Sequence, residues 1–295
     1  MKECTYLGAI EVANQLGECI LWQEQTHTLW WTDILSKKLF RFDPATQKLQ
    51  TYEVPDRLAS FGFTSDPSSL ICAFANGLAY YRPESQAIEW IEQPELANKG
   101  QRFNDGRVDR QGRFWVGTMV ENPELDETKE GAALYCLDGK NFTKKLTGLS
   151  ISNSLCWSPE GDYLFFADSP THTISRYPFE QVTARLGAAE AFAACPPFEP
   201  DGSTMDSEGM LWNALWGGSK VHRFSKNGEI DQTLDLEVSQ PTCVCLGGPN
   251  LDVLFITTAR VGLSDEELAT QPLAGHVLMY QTPFSGLSEC LFRRD

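Results

Sequence analysis

Six segments of the chain repeat one pattern, an apolar and aromatic run followed by a polar turn and a second apolar run. The equivalent positions within the first run are Trp31, Cys72, Trp115, Phe165, Trp212 and Phe255. Successive repeats are therefore about 41 to 50 residues apart. A period of about 40 to 50 residues, with several strands in each unit, is typical of a β-propeller. We therefore expect an all-β fold, a six-bladed β-propeller, formed by residues 1–295 as a single domain.

The repeated runs are short, rich in aromatic and β-branched residues, and bounded by Gly, Pro, Asp and Asn, which favours strands over helices. One helix is predicted, in the segment SDEELATQ from Ser264, with Ser264 as its N-cap. This helix falls within an insertion of the last repeat. In a propeller, loops from every blade converge on the central channel, so polar residues that are distant in sequence can form one site there.

Charge and hydropathy exclude several classes of partner. The chain of 295 residues is 42% hydrophobic, which is enough for a large core. Its formal net charge of −16 repels phosphate backbones and anionic membrane surfaces. The first residues, MKECTYLGAIEVANQLGE, lack the apolar run of a signal peptide, and no later run is long enough to span a membrane. We expect a cytoplasmic protein that binds neither nucleic acid nor membranes.

Cysteine and histidine provide no recognisable metal or disulfide motif. The 9 cysteines are scattered and odd in number, which favours reduced thiols over a disulfide framework. The 4 histidines are far apart and show no zinc-type spacing. A zinc-type motif of soft ligands therefore receives no support from the sequence.

Polar residues stand just before the first strong strand of four repeats, and these positions in a propeller face the channel. The residues are Glu18, Arg102, Asn104, Asp105, Asn153 and Asp201. We expect Asp201, which precedes a glycine, to lie in a loop. Each residue also has a structural interpretation, as a solvated charge, a turn residue or a partner of loop backbone. Their equivalent placement in different repeats favours a shared site.

The chemistry of three of these side chains is consistent with a metal site. Glu18, Asn153 and Asp201 offer only oxygen ligands, and two of the three are carboxylates. Such a set suits a hard divalent cation such as Ca²⁺, Mg²⁺ or Mn²⁺. Three protein ligands leave coordination positions for water or substrate, as a catalytic metal requires.

The same stretches resemble the SMP-30/gluconolactonase family, which includes regucalcin and bacterial sugar lactonases. The stretch RFNDGRVDRQGRFWVGTM carries the most specific resemblance, and six others match in type, order and spacing. These are LGECILW, LWWTDI, LFRFDPATQ, ISNSLCWSPEGDYLFFADSPTHTI, PDGSTMDSEGMLWNALWGGSKVHRF and CLGGPNLDVLFITTAR. The resemblance covers nearly the whole chain and implies a six-bladed propeller that hydrolyses lactones with one divalent metal, which could be Ca, Mg, Mn or Zn.

The resemblance also implies roles for individual residues. It implies Glu18, Asn153 and Asp201 as metal ligands, and Asp201 as the acid/base as well. It implies Arg102 and Asn104 as substrate contacts. A further acidic contact of some animal members aligns with Asn122, not with Glu121 beside it, so both are candidate substrate-binding residues.

Two positions depart from the family pattern without removing a ligand. Cys19-Ile20 stands where the family often has Gly-Pro, and Ser154 stands where it usually has Gly.

We expect hydrolysis of a sugar aldonolactone to its aldonic acid, by a monomer or weak homo-oligomer whose partner is the small lactone. Arg102 and Asn104 would hold ring hydroxyls, and the sequence leaves open whether Asp201 or the metal provides the base. Two alternatives remain. One is a non-catalytic calcium-binding or interaction propeller, which would not need the Arg102 and Asn104 pair. The other is a broader esterase or organophosphate hydrolase on the same metal.

Overall fold

Six antiparallel sheets form the six blades of a ring. The computed structural model describes residues 3–94, 96, 99–125 and 131–294. Each blade has four strands in sequential order, except that blade 4 has a fifth. The predicted six-bladed all-β propeller is confirmed.

The strands follow the order of the repeats. The N-terminal strand is β1 (Thr5–Ile10). Blade 1 contains β2 (Gly17–Gln23), β3 (Thr28–Asp33), β4 (Lys38–Asp43) and β5 (Lys48–Glu53). Blade 2 contains β6 (Leu58–Phe63), β7 (Leu70–Phe74), β8 (Gly77–Arg82) and β9 (Ala87–Glu92). Blade 3 contains β10 (Gln101–Val108), β11 (Phe114–Val120), β12 (Ala132–Asp138) and β13 (Asn141–Leu149).

The second half of the chain continues in the same way. Blade 4 contains β14 (Ser152–Trp157), β15 (Tyr163–Asp168), β16 (Thr173–Glu180), β17 (Arg185–Leu186) and β18 (Glu190–Ala194). Blade 5 contains β19 (Glu199–Met205), β20 (Leu211–Trp216), β21 (Lys220–Phe224) and β22 (Ile230–Asp235). Blade 6 contains β23 (Pro241–Gly247), β24 (Val253–Thr258) and β25 (Val277–Gln281), and β1 pairs with β25 as its outermost strand.

The ring is closed in two ways. The first strand of each blade lies innermost and contacts the first strands of both neighbouring blades, including β2 of blade 1 against β23 of blade 6. Blade 6 combines strands from both ends of the chain, because β1 pairs antiparallel with β25 from Ile10↔Val277 to Thr5↔Gln281. This closure holds the six innermost strands around one channel.

The hydrophobic core lies between neighbouring blades. The positions identified as equivalent in the repeats all fall on the second strand of a blade, and Trp31, Trp115 and Trp212 among them are fully buried. Large side chains repeat at this position because each blade must cover the inner face of the next. All nine cysteines are free thiols, in agreement with the sequence-based expectation.

The described segments outside the sheets include one α-helix and two 3-10 helices. The helix α1 (Asp265–Thr270) begins at Ser264, whose side chain accepts a hydrogen bond from the Glu267 N–H in a capping box, so the predicted helix and N-cap are confirmed. The 3-10 helices are Pro123–Leu125 and Ser169–Thr171. Within residues 3–94, 96, 99–125 and 131–294, no helix has the length and apolarity needed to cross a membrane.

Residues 285–294, here called the C-terminal strap, cross the end of the channel opposite the starts of the innermost strands. The strap forms backbone bridges from Gly286 to Asp206 in blade 5 and from Phe292 to Thr64 in blade 2. Glu289 of the strap also forms an ion pair with Arg107 of blade 3. The strap therefore ties several blades together and leaves the other end of the channel for the candidate site.

Candidate active site in the propeller channel

Irregular pairing within the innermost strands positions the candidate residues. The register shifts between Glu18 and Leu21 in β2, between Phe103 and Gly106 in β10, and between Asn153 and Cys156 in β14. A β-bulge adds one unpaired residue, bends the strand and re-aims its side chains. The bulges in different blades therefore turn polar side chains toward the channel at the same height.

The expectation that Asp201 lies in a loop is wrong. Asp201 belongs to β19, at the bulge between Pro200 and Ser203, and is only 5% exposed. The Asp-Gly pair resembles a turn in sequence, but here the glycine allows close approach of the next blade. A Cβ atom on Gly202 would lie 2.5 Å from Cys243 Sγ, so only glycine fits there without a shift.

The two departures from the family pattern lie beside the expected ligands in left-handed backbone conformations. Cys19 has φ 46° and Ser154 has φ 64°, a region that glycine adopts more readily than other residues. Both side chains contact a neighbouring blade. The Cys19 Sγ accepts a hydrogen bond from the Phe61 N–H at 3.2 Å, and the Ser154 hydroxyl lies 2.5 Å from the Ser203 hydroxyl. These contacts connect neighbouring blades beside the site.

Four of the predicted site residues line one cavity at this end of the channel. They are Glu18, Asn104, Asn153 and Asp201, from blades 1, 3, 4 and 5, and the cavity has a volume of about 270 Å³. Apolar walls come from residues such as Met119 and Ile151. The structure therefore brings together residues as far apart in the sequence as Glu18 and Asp201. A cavity of this size accommodates a small molecule.

The carboxylates at the cavity repel one another. Burial raises the pKa of Asp201 well above its ordinary value, and the charges of Glu18 and Asp105 raise it further. Burial, followed by the charge of Asp105, raises the pKa of Glu18 to about 8. Burial raises the pKa of Asp105 to about 6. Such shifts mean that the enclosed negative charges lack sufficient compensation from the protein.

A divalent cation fits this arrangement. The Oδ1 atom of Asp201 is buried and has no hydrogen-bond partner, which is costly for a carboxylate unless a cation binds there. Asn153 completes the oxygen set, and its Oδ1 atom accepts a hydrogen bond from Asn104 at 3.1 Å. Among the described residues, no group of three or more His, Cys, Asp or Glu side chains has the arrangement of a metal site. The candidate ligands Glu18, Asn153 and Asp201 do not form such a group, because Asn153 contributes an amide oxygen instead of a carboxylate.

Arg102 and Asn104 form a connected unit beside these ligands. Arg102 is buried, and it donates hydrogen bonds to the Asn104 Oδ1 at 2.8 Å and the Phe103 carbonyl at 2.9 Å. Asn104 in turn donates to Asn153 and to the Ser152 carbonyl at 3.1 Å. The pair therefore extends from the expected metal ligands toward the cavity mouth.

At the mouth, Glu121 joins two arginines. It accepts two hydrogen bonds from Arg57 of blade 2, at 2.6 and 3.0 Å, and one from Arg102 at 3.2 Å. These cations lower the pKa of Glu121 although its partial burial opposes the shift. Asn122 is placed differently, because it is exposed and its Oδ1 atom accepts a hydrogen bond from the Glu124 N–H. Glu121, not Asn122, therefore adjoins Arg102.

Asp105 stands beside Asn104 in the sequence pattern without an assigned role, and its carboxylate accepts a hydrogen bond from the Leu155 N–H at 2.8 Å across to blade 4. Sequence reasoning missed two residues of this region, Arg57 and Glu199. Neither has a sequence signal, since Arg57 precedes an ordinary strand and Glu199 begins one. The sequence also suggests that the insertion VENPELDETKEG at residues 120–131 covers the channel mouth, but its residues 126–130 lie outside the described residues.

Comparison with known proteins agrees with the fold and with these motifs. The model of a family described as the SMP-30/gluconolactonase/LRE-like region matches residues 16–260. The chain belongs to this family. The match begins before Glu18 and ends after β24 of blade 6, so all the predicted site residues lie within the SMP-30/gluconolactonase/LRE-like region.

Members and structural neighbours of the SMP-30/gluconolactonase/LRE-like family match over nearly their full length. A 6-deoxy-6-sulfogluconolactonase of Pseudomonas putida is 33% identical over 94% of this chain and 94% of the relative. An L-arabinolactonase of Azospirillum brasilense is 34% identical over 96% of this chain and 93% of the relative. The solved structure of a calcium-binding protein, regucalcin, from Agrobacterium tumefaciens aligns with a TM-score of 0.90 at 28% identity, over 98% of both chains.

Proposed function

We propose that this chain is a lactonase that hydrolyses a sugar aldonolactone with one divalent cation held by Glu18, Asn153 and Asp201. The observation that carries the proposal is the buried, unpartnered Oδ1 of Asp201 beside the Glu18 carboxylate in a cavity that also contains Asn104. Relatives named as lactonases support the reaction class. The neighbour named as calcium-binding supports a divalent cation.

The reaction adds water to the lactone carbonyl carbon and breaks the bond between that carbon and the ring oxygen. When bound, the cation would stabilise the negative charge that develops on the carbonyl oxygen. The cavity residues would exclude bulk water, and the Arg102 and Asn104 unit would orient the sugar by hydrogen bonds. Asp201 would accept a proton from the attacking water and return one to the departing ring oxygen, which becomes the new hydroxyl.

The two proposed roles of Asp201 oppose each other. Burial and neighbouring carboxylates raise its pKa and make it a stronger base, whereas binding to a cation lowers it. The Glu18 and Asp105 charges therefore support basicity in Asp201 even when it serves as a ligand.

Calcium binding without catalysis is the second candidate, favoured by the description of the structural neighbour as a calcium-binding protein. The buried Arg102, held by Asn104 and Glu121, argues for a substrate instead, because a cation alone gains nothing from a guanidinium nearby. We further propose that the chain acts as one domain in the cytoplasm, as a monomer or weak homo-oligomer, on a small-molecule lactone.

An assay with metal-stripped and metal-restored protein tests the proposal. Chelated protein is assayed for acid release on a panel of γ- and δ-aldonolactones, then again after addition of Ca²⁺, Mg²⁺, Mn²⁺ or Zn²⁺. We expect loss of activity on chelation and recovery with at least one cation. Full activity without metal would contradict the cation's role, and tight calcium binding without hydrolysis of any lactone would favour the second candidate.

A further inference from the structure

Glu199 lines the candidate cavity but is neither a proposed metal ligand nor a proposed substrate contact. It is the first residue of β19 and pairs directly with Trp216, the last residue of β20. Both side chains are partly buried and face the same cavity as Glu18 and Asp201. Glu199 and Trp216 therefore form the blade 5 wall of the cavity mouth.

The Glu199 carboxylate is left without compensation. It makes no hydrogen bond or ion pair with another residue in the part of the chain that the structure describes. The two arginines of the mouth belong to other blades. Arg57 precedes the first strand of blade 2, and Arg102 lies in the first strand of blade 3. Blade 2 is three blades away from blade 5 in a ring of six, so Arg57 and Glu199 lie on opposite sides of the channel.

The arginines at the mouth are already neutralised in part. Glu121 pairs with both Arg57 and Arg102, at 2.6 and 3.2 Å, so one carboxylate is shared between two guanidinium groups. Deeper in the site, Glu18, Asp105 and Asp201 place three carboxylates around the candidate cation position. On the blade 5 side of the mouth, opposite Arg57, an acidic group on a bound sugar would therefore meet the Glu199 carboxylate, which no cation of the described residues pairs with.

We propose that Glu199 is a specificity-determining residue that favours lactones of uncharged sugars over lactones with an anionic substituent remote from the ester. This inference rests on the proposed lactonase function. It assigns to this chain a substrate class without a phosphate, sulfonate or second carboxylate group. A carboxylate excludes such groups by like-charge repulsion while still accepting hydrogen bonds from sugar hydroxyls.

Paired substrates test the inference. D-Glucono-1,5-lactone and the same lactone with a phosphate at C6 are compared by initial rates, after subtraction of spontaneous hydrolysis. The variants are Glu199→Gln and a matched control, Glu229→Gln. Glu229 is exposed and lies in a turn of the same blade at the opposite end of the channel. We expect the wild type to prefer the neutral lactone by at least about tenfold in kcat/KM.

Glu199→Gln should raise the ratio of kcat/KM for the phosphorylated over the neutral lactone by about tenfold, and Glu229→Gln should leave both rates unchanged. Added salt should reduce the wild-type preference because it screens the repulsion. An unchanged ratio in Glu199→Gln, or a wild type that prefers the phosphorylated lactone, would overturn the inference while leaving the lactonase proposal intact.

Binding provides a readout that does not require hydrolysis. Calorimetry compares glucitol with glucitol 6-phosphate on metal-loaded wild type and on Glu199→Gln. If the wild type binds glucitol 6-phosphate more weakly than glucitol, and Glu199→Gln removes this difference, the proposed charge filter, the repulsion of anionic groups by Glu199, is supported. This result would stand even if no lactone is hydrolysed, and only the proposed lactonase function would then fail. Equal relative affinities in the two proteins would overturn the charge filter.

Discussion

At the scale of single residues, the site is defined by negative charge that the protein does not neutralise. Asp201 has a buried oxygen without a partner, and its pKa is raised by burial and by the three neighbouring carboxylates of Glu18, Asp105 and Glu199. Such a group destabilises the metal-free fold, which supports the proposal that it binds a cation. Asp201 differs in this respect from buried carboxylates such as Asp206, which accepts hydrogen bonds from Trp212 and Arg223.

Replacement of Asp201 tests its role directly. Asp201→Ala should abolish metal binding and lower kcat/KM by at least about 10³-fold, because it removes a ligand and the proposed base. The metal-free variant should melt no lower than the metal-free wild type, since an unpaired buried charge is removed. Calorimetric metal titration, kinetics and thermal melting measure these effects, with exposed Asp235→Asn in the same blade as the control. A variant that binds metal normally would exclude Asp201 as a ligand.

The stability of the metal-free protein should fall as the pH rises. The pKa of Glu18 is raised from 4.5 to about 8 in the folded state, so the folded protein holds more protons than the unfolded chain between these values. Because the unfolded state binds fewer protons there, the free energy of unfolding decreases with increasing pH across this window. Melting of chelated protein from about pH 5 to about pH 8 measures it.

Two additions make the pH experiment specific. Divalent cations should restore stability at the upper end of the window, and Glu18→Gln should reduce the pH dependence of the chelated protein to the part that Asp105 and Asp201 contribute. A melting temperature that rises with pH over the same window would show that Glu18 does not titrate as its surroundings indicate.

Positions 121 and 122 are expected to differ in their effect on substrate. Glu121→Gln should weaken the contacts to Arg57 and Arg102 and lower kcat/KM by about tenfold or more, since hydrogen bonds to charged groups are worth about 1.5–3 kcal/mol. Asn122→Ala should alter preference among lactones by roughly two- to twelve-fold, because a neutral hydrogen bond from its amide to the sugar, as the family resemblance implies, is worth about 0.5–1.5 kcal/mol. Metal affinity should be unchanged in both. Kinetics on at least three lactones would refute a role for position 122 if every rate matched the wild type.

At the scale of elements, the bulges of the innermost strands convert an ordinary sheet edge into a binding surface. A regular strand would alternate its side chains between its two faces. The extra residue in β2, β10, β14 and β19 turns selected side chains into the channel and leaves the remainder of each blade regular. Bulges therefore allow the polar site and the apolar blade contacts to share the same strands.

Gly202 shows how closely this arrangement is packed. Gly202→Ala would place a Cβ atom 2.5 Å from Cys243 Sγ and 2.8 Å from its Cα, so the bulge must shift. We expect a loss of about 1–3 kcal/mol in stability and reduced metal affinity, because Asp201 moves with the strand. Denaturant unfolding and metal titration measure both. The control Gly217→Ala meets no atom within 4 Å, and it should weaken stability only through its positive φ, without loss of metal affinity.

At the scale of the whole molecule, the ring is held at both of its ends. The inner strands carry the site at one end, and the C-terminal strap closes the other through contacts to blades 2, 3 and 5. Glu289 of the strap pairs with Arg107, which also donates to the Ser203 carbonyl in β19. The strap is therefore connected to the strand that carries Asp201.

Two ion pairs of the strap should differ in their importance. Glu289→Ala leaves Arg107 without its carboxylate in an enclosed position and should cost about 3–5 kcal/mol in unfolding free energy. Arg294→Ala breaks an exposed pair with Glu89 and should cost at most about 1 kcal/mol. Urea denaturation of both variants measures the difference. Equal, small losses would show that the strap is not required to hold the ring.

The sequence by itself determined the architecture and most of the expected ligand set. Each repeat is a unit of strands that cannot bury its apolar faces alone, so a regular spacing of large apolar residues specifies how many units must stack. Glu18, Asn153 and Asp201 could be found because they interrupt that regular pattern at equivalent places. The N-cap of α1 was recognisable because capping depends only on residues a few positions apart.

Only the tertiary structure decided which side chains share the cavity mouth. Arg57 and Glu121 are 64 residues apart and come from neighbouring blades, and neither lies in a local pattern that indicates the other. The direction of Asp105 depends on a bulge, and the isolation of Glu199 depends on what the facing blades place around it. Closure of the ring brings these charges together, and Coulomb interactions act through space irrespective of the number of residues between them.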